Sequence, residues 1–181
     1  MASQLKTVKA ARNDQGECRK CGTPLKAGTG YRYWKPGFRA RIKNKVCMKP
    51  ECTPKRSELD GSNMSAALEA QEAAHDSVDG AEDFDTVQQA VDDCASSARD
   101  LSNEYEDSAN EYPMLAEQNA EKQEMLDTWA DALEGVQSDE PEVNAESTRT
   151  SEQIAADQEA WDDALEEFKS EARDAIDSLE Y

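Results

Sequence analysis

The chain predicts a mixed, mostly α fold: a small β module at the N-terminus, then long acidic helices. Three observations carry this expectation. Four of the five cysteines fall within residues 18–52, as Cys18-x2-Cys21 and Cys47-x4-Cys52. The charge is divided: residues 1–56 hold 15 Lys+Arg against 3 Asp+Glu, a net of +12, and residues 57–181 hold 5 against 37, a net of −32, within an overall −20. Beyond residue 83 apolar residues recur at alternating three- and four-residue steps, the signature of a helix with one narrow buried seam.

Two short cysteine pairs separated by a hairpin-length insert are the pattern of a tetrahedral zinc site. Cys18, Cys21, Cys47 and Cys52 are the expected ligands, and the module they define, residues 17–56, is expected to be a zinc ribbon built on a β-hairpin. Gly22 follows Cys21, where a residue free to take positive φ lets backbone N–H groups turn toward the thiolates. Zinc is favoured over competing metals, since an iron–sulfur cluster usually shows different spacing. Four thiolates fill the coordination sphere, so the expected Zn2+ is structural, and its binding, worth about 10–16 kcal/mol in small fingers, is the main force folding so small a module.

Residues 1–16 are polar and basic and read as a flexible arm. Tyr31 to Val46 reads as the hairpin, with Pro36-Gly37 at the turn. In its second run Phe38, Ala40, Ile42 and Val46 fall on one face, with Asn44 as the polar exception. Arg39, Arg41, Lys43 and Lys45 fall on the other, a row of cations ~20 Å long. The first run adds Tyr31, Arg32, Tyr33, Trp34 and Lys35. Cations beside aromatic rings suit phosphate contact and base stacking, so the eight residues Arg32, Tyr33, Trp34, Lys35, Arg39, Arg41, Lys43 and Lys45 form the expected nucleic-acid face, DNA or RNA. Contact with four to six phosphates would give a log K against log salt slope of about −4 to −5. Two other readings of the same residues stand beside it: a solvated basic face whose aromatics cover the metal, and a surface that docks onto the acidic part of the chain.

Residues 57–83 read as a linker carrying a short helix over 63–74, capped by Ser62 or Asn63, with His75 in solvent after it. Residues 84–136 read as a helical hairpin. Its first seam is Phe84, Val87, Val91, Cys94, Ala98, Leu101, Tyr105, Ser108 and Tyr112, which makes Cys94 a small buried hydrophobe. Its second is Leu115, Asn119, Lys122, Leu126, Trp129, Leu133 and Val136. A tight turn at residues 110–113 gives an antiparallel hairpin, and a kinked continuous helix is the alternative. Residues 137–151 form an acidic linker. Residues 152–181 form a last helix, with a seam of Ile154, Gln158, Trp161, Leu165, Phe168, Ala172, Ala175 or Ile176, and Leu179. Together these helices predict an acidic three-helix bundle or antiparallel coiled coil. The hexapeptides starting at Trp129 and Trp161 echo each other, each with Trp, Ala and Leu in register.

No apolar run approaches the ~20 residues that span a bilayer, and the first residues lack the apolar stretch of a signal peptide. Clustered cysteines suit metal ligation in a reducing cytoplasm, a host's if the chain is viral, better than a disulfide framework. No membrane partner is expected. There is no Gly-rich phosphate loop and no Ser/His or Cys/His pair, so no catalytic residue is expected. The carboxylate-rich body has three readings: a spacer or homo-oligomerisation stalk, a docking surface for a basic or DNA-binding host protein, and a rigid rod that mimics DNA and blocks a DNA-binding enzyme. The function these observations predict is a non-enzymatic, two-part binding protein, its basic head on nucleic acid and its acidic body on protein.

The run from Cys18 through Gly22, Leu25, Gly28 and Tyr31 to Trp34, closed by Cys47 and Cys52, resembles the zinc-ribbon start of small uncharacterised phage and prophage proteins. The phrase from Trp129 to Glu134 resembles the acidic coiled coils that follow such ribbons. The resemblance implies zinc and a viral setting and carries no mechanism. Leu25, Gly28 and Arg32 also resemble the poly-ADP-ribose polymerase type of finger, which binds DNA breaks but includes a histidine ligand that residues 1–56 do not contain.

Overall fold

The computed structural model describes residues 4–35, 43–60, 64–138, 140–141 and 151–179. The chain divides into two compact units, residues 1–69 and 70–181.

The N-terminal unit is built on a three-stranded antiparallel sheet of order β1-β2-β3, with β1 at Lys6–Val8, β2 at Tyr31–Trp34 and β3 at Asn44–Cys47. Strand β1 pairs Lys6 with Tyr33 and Val8 with Tyr31. Strand β2 pairs Tyr31 with Cys47, Tyr33 with Lys45 and Trp34 with Asn44. Residues 4–16 therefore differ from the expected free arm. Residues 6–8 close one edge of the sheet, and Ala11 is buried, exchanging backbone hydrogen bonds with Thr29 and Gly28. The reason is in the sequence: Leu5 and Val8 supply the apolar contacts of a short strand, too few to register as periodicity. The expected turn at Pro36-Gly37 lies outside the described residues.

Beyond β3, a 3-10 turn at Pro50–Cys52 brings the last cysteine inward, and a one-turn helix, α1 at Arg56–Leu59, follows. The sequence suggests a linker here, but α1 is tied to the sheet. The Trp34 indole N–H donates to the Glu58 carbonyl at 2.8 Å, Lys20 pairs with the Glu58 carboxylate at 2.8 Å, and Leu59 packs on the unit's core. That core is small: Cys18, Leu25, Trp34, Val46, Cys47 and Cys52, with Leu5, Tyr31 and Leu59 at its border.

The C-terminal unit contains most of α2, Ser65–Gly80, with α3 at Phe84–Glu111, α4 at Ala116–Glu134 and α5 at Ser151–Asp177. Helix α2 runs past the expected end at Ala74, because Val78 continues its buried spacing and no cap intervenes. Asp83 caps α3, accepting the Thr86 N–H at 2.7 Å. A 3-10 turn at Pro113–Leu115 reverses the chain, so α3 and α4 form the antiparallel hairpin and the kinked continuous helix is excluded. Contacts run in opposite order along the two helices. Asn119 donates to the Ser108 hydroxyl near the turn, the Ser102 hydroxyl donates to Asp127 midway, and Gln88 reaches the Val136 carbonyl at the far end.

All three seams shift from expectation. Tyr112 at the end of the first and Leu115 at the start of the second are exposed at the turn. Ser102 is buried and Leu101 is only half-buried, because an α-helix drifts against a strict seven-residue repeat and Asp127 stands ready to accept from Ser102. The α5 seam begins late: Ile154 and Gln158 are exposed, and burial starts around Trp161 and Leu165. Phe84 of α3 packs edge-on against Trp161 and stacks on Phe168.

The expected three-helix count omits α2. Gln71, His75 and Asp79, at three- and four-residue steps along α2, meet the Ile176 carbonyl, Asp177 and Arg173 of α5. Ile176 lies in the last turn of α5, where carbonyls lack intrahelical donors. Its carbonyl accepts two buried donors from two other helices, the Gln71 amide at 2.9 Å and the Trp129 indole N–H at 3.2 Å. A single orphan carbonyl thus locks α2 and α4 to the end of α5.

Leu126 is fully buried and Ile154 is 56% exposed. We expect Leu126→Ala to lower stability by about 2–5 kcal/mol and Ile154→Ala by less than about 0.5. Gln71→Ala should cost about 1–2 kcal/mol, and adding Trp129→Phe should cost more than the sum of the two, since the second loss strands the carbonyl. Urea unfolding followed by far-ultraviolet circular dichroism, a signal the helical unit dominates, measures each.

Candidate metal centre and basic sheet face

The four predicted ligands converge. The sulfurs of Cys18, Cys21, Cys47 and Cys52 all lie within 4.8 Å of one another. Local structure explains how each is placed. Cys18 and Cys21 flank a tight turn in which the Gly22 N–H donates to the Cys18 carbonyl at 2.9 Å, and Gly22 takes φ +69°, a conformation that disfavours a side chain. Cys47 ends β3, and Cys52 closes the 3-10 turn. The Cys47 N–H points at the Cys18 sulfur at 3.3 Å, the kind of N–H···S contact that supports a thiolate ligand. Cys18, Cys47 and Cys52 are buried, whereas Cys21 is exposed, leaving one edge open to an entering ion.

A tetrahedral ion with metal–sulfur bonds of about 2.3 Å sets its sulfurs about 3.8 Å apart. The Cys21 and Cys47 sulfurs are 3.7 Å apart. No disulfide forms among the four. The donor set and its spacing therefore fit a tetrahedral metal ion and are compatible with zinc.

The surroundings favour ionisation of the first pair. Burial pushes the Cys18 thiol up, but backbone N–H groups of Cys21, Cys47 and Lys20 outweigh it and the net shift is downward. The Thr23 hydroxyl, 3.1 Å away, and the Thr23 N–H lower Cys21 to about 6. Cys52 moves the other way, raised by burial and then by the neighbouring sulfurs. Four sulfurs this close cannot all carry charge without a cation between them, and a divalent ion supplies it.

The described members of the eight residues expected to form a nucleic-acid face do not share one face of the sheet. Pairing and alternation set Tyr31, Tyr33, Lys45 and Cys47 on one face of the sheet and Arg32, Trp34, Asn44 and Val46 on the other. Trp34 is 1% exposed and belongs to the core, so its indole is not available to stack on a base. It fulfils the alternative in which an aromatic covers the metal module. Arg32 is fastened to the Thr53 hydroxyl and the Met48 carbonyl on that same opposite face. The remaining members differ. The Lys43 ammonium sits 4.7 Å above the centre of the Tyr33 ring, and Lys45 donates to the Gln15 carbonyl and amide oxygen at 3.1 Å each. Lys35 is exposed just past β2. Arg39 and Arg41 lie outside the described residues.

Sequence reasoning missed one member of the Tyr33 face, Lys6, which stands directly across from Tyr33 on β1. The Tyr31 ring lies 6.1 Å from that of Tyr33. The three-residue strand that carries Lys6 is too short to show an alternating pattern, which hid it.

In the helical unit, Cys94 is buried as expected, 3% exposed, and burial pushes its thiol up to about 12. It lies beside a cavity of about 130 Å³ between α2 and α3, walled by Ala70, Ala74 and Ala90 among other small residues. His75, expected in solvent, is half-buried against Asp177 at 2.9 Å. The Arg99 guanidinium meets Asp127, Asp131 and Glu134 of α4 and is held in its charged form, chiefly by Glu134. Comparison with protein-family models, curated proteins and solved structures returns no match. Among the described residues no helix is long and apolar enough to cross a membrane.

Cys94 gives a pH dependence of definite sign. Its folded pKa stands above the thiol's ordinary value, so its contribution to stability is complete below about pH 9 and is lost as pH rises toward 12. Over that window wild type should lose up to about 1.4 kcal/mol per pH unit relative to Cys94→Ala. Parallel urea titrations of the two proteins measure the difference. At neutral pH, Cys94 should resist alkylation until the helices unfold.

Proposed function

We propose that this chain is a non-enzymatic zinc protein in which Cys18, Cys21, Cys47 and Cys52 hold one Zn2+ and so order a basic platform that contacts nucleic acid. The convergence of four sulfurs within 4.8 Å carries the reading. A sphere filled by four thiolates leaves no position for water or substrate, so the metal supplies structure and no chemistry to a reactant. The net charge of +12 over residues 1–56, with Lys6, Lys43 and Lys45 beside tyrosines on one sheet face, supports a polyanionic partner.

The acidic body, in this reading, engages a basic protein surface. Its described cations are already engaged. Arg99, Lys169 and Arg173 pair with carboxylates, and Lys122 sits 4.8 Å over the Tyr105 ring. Residues 57–181 hold 37 acids against 5 Lys+Arg, so the segment keeps a large negative excess. The resemblance of residues 18–52 to ribbons of phage and prophage proteins supports a phage-encoded setting.

Elemental analysis of purified protein should find one zinc per chain, and Cys47→Ser should abolish it. A strong chelator should expose Trp34 while leaving the far-ultraviolet signal of the helices largely intact. Gel shifts of zinc-loaded residues 1–69 and of the full chain, against single-stranded and duplex DNA and RNA at low salt, test the second half. Binding should weaken steeply with added salt, and an absence of binding to any nucleic acid would overturn that half of the reading.

A further inference from the structure

The nucleic-acid reading leaves open which form of nucleic acid the platform takes, and the sheet geometry bears on that choice. Resting on that reading, we infer that the Tyr33 face of the sheet is a stacking platform for single-stranded nucleic acid. Tyr33 is on the central strand, half-buried, with Lys6 across from it on β1 and Lys45 across from it on β3. Tyr31, two residues along the same strand, points to the same side, its ring tilted 38° to that of Tyr33. The Gln15 side bounds the face, since Gln15 takes both the Lys45 ammonium and the Tyr31 hydroxyl. The other side ends in two exposed lysines, Lys6 and Lys43.

The Lys43 ammonium 4.7 Å over the Tyr33 ring shows a π-face that attracts positive charge and is covered by the end of one exposed, flexible side chain, which a ligand can displace. A nucleotide offers that same site two things at once: a base to lie on the ring and a phosphate to take the displaced ammonium. A duplex offers only the phosphate, because its base faces are buried in the stack. The patch is small, since strands of three and four residues span only about 10–13 Å. Two rings and two flexible cations on a patch of that size match two or three unstacked nucleotides. Stacking is tolerant of base identity, so little sequence preference is expected.

The test uses the full zinc-loaded chain at low salt and fluorescence anisotropy, with labelled oligo-dT, oligo-U and a duplex hairpin of equal phosphate count. We expect the single strands to bind at least about tenfold more tightly than the duplex. Tyr33→Ala and Tyr33→Leu should lose about tenfold on single strands, and Tyr33→Phe should retain binding. Lys43→Ala should lessen the salt slope by about 0.7. One zinc per chain in each variant shows that the ribbon is intact, and Tyr33→Leu keeps a bulky apolar side chain in the strand should the alanine variant fail to load. Duplex binding equal to or tighter than single-strand binding, or a Tyr33→Leu protein that loads zinc and binds within twofold of wild type, overturns this inference and leaves the nucleic-acid reading standing. No binding to any of the three probes overturns both.

Discussion

Three of the six residues at the heart of the N-terminal unit are cysteines. Their sulfurs, with the exposed Cys21, lie within 4.8 Å of one another, and the Cys21–Cys47 pair at 3.7 Å is at the separation that a tetrahedral metal sets. Leu25, Trp34 and Val46 alone are too little apolar surface to hold a sheet of three- and four-residue strands together. The gathering of four thiolates is therefore the constraint on which the rest of this unit depends. It fixes the turn at Gly22, the register that sets Cys47 opposite Tyr31, and the inward course of the chain through Cys52. Trp34 is the largest side chain in that small core. Its indole N–H, which burial would otherwise strand, finds the Glu58 carbonyl, and this brings α1 onto the unit.

The helical unit faces the opposite difficulty. It has enough apolar surface for narrow seams but carries a surface of like charge that pushes its helices apart. Specific joints answer this. Arg99 meets three carboxylates of α4 that would otherwise face α3 with no countercharge. Surface ion pairs of this kind add little individually, so their role is chiefly to choose register. The buried joints carry more weight. Gln71 and Trp129 converge on the Ile176 carbonyl, and a slipped helix would strand two donors and an acceptor away from water.

Much of this was legible in the residues, for reasons that differ by place. Cysteine spacing specifies a metal centre directly, because few other arrangements need sulfur at those intervals. The seam of α3 was legible because Phe84, Val87, Val91, Cys94, Ala98 and Tyr105 repeat over many turns. Shorter signals failed. Strand β1 has three residues, and its partner lies 25 residues away, so no local pattern announces it. Trp34 and Tyr33 are neighbours of similar chemistry, and only the pleat decides that one is core and the other surface. The part played by α2 was hidden for a related reason. Gln71, His75 and Asp79 are polar, and nothing local shows that they meet α5 a hundred residues later.

The two parts of the chain carry opposite net charge, so added salt acts on each through a different interaction. Mobile ions screen repulsion among the carboxylates of residues 70–181, so added salt should favour the compact helical state. In the proposed nucleic-acid reading the same ions would compete with Lys6, Lys43 and Lys45 for the polyanion, so added salt would weaken that contact. A metal ion held by the four sulfurs would stand outside this opposition, since coordinate bonds in a mostly buried centre are scarcely screened. On the proposed reading, a single solution variable would separate three kinds of cohesion in one chain: metal–thiolate bonding that salt leaves alone, helix packing that it strengthens, and charge-driven contact that it dissolves. A basic sheet face and a carboxylate-coated body could then share a polypeptide because the metal, and not the general charge balance, would maintain the fold of the first.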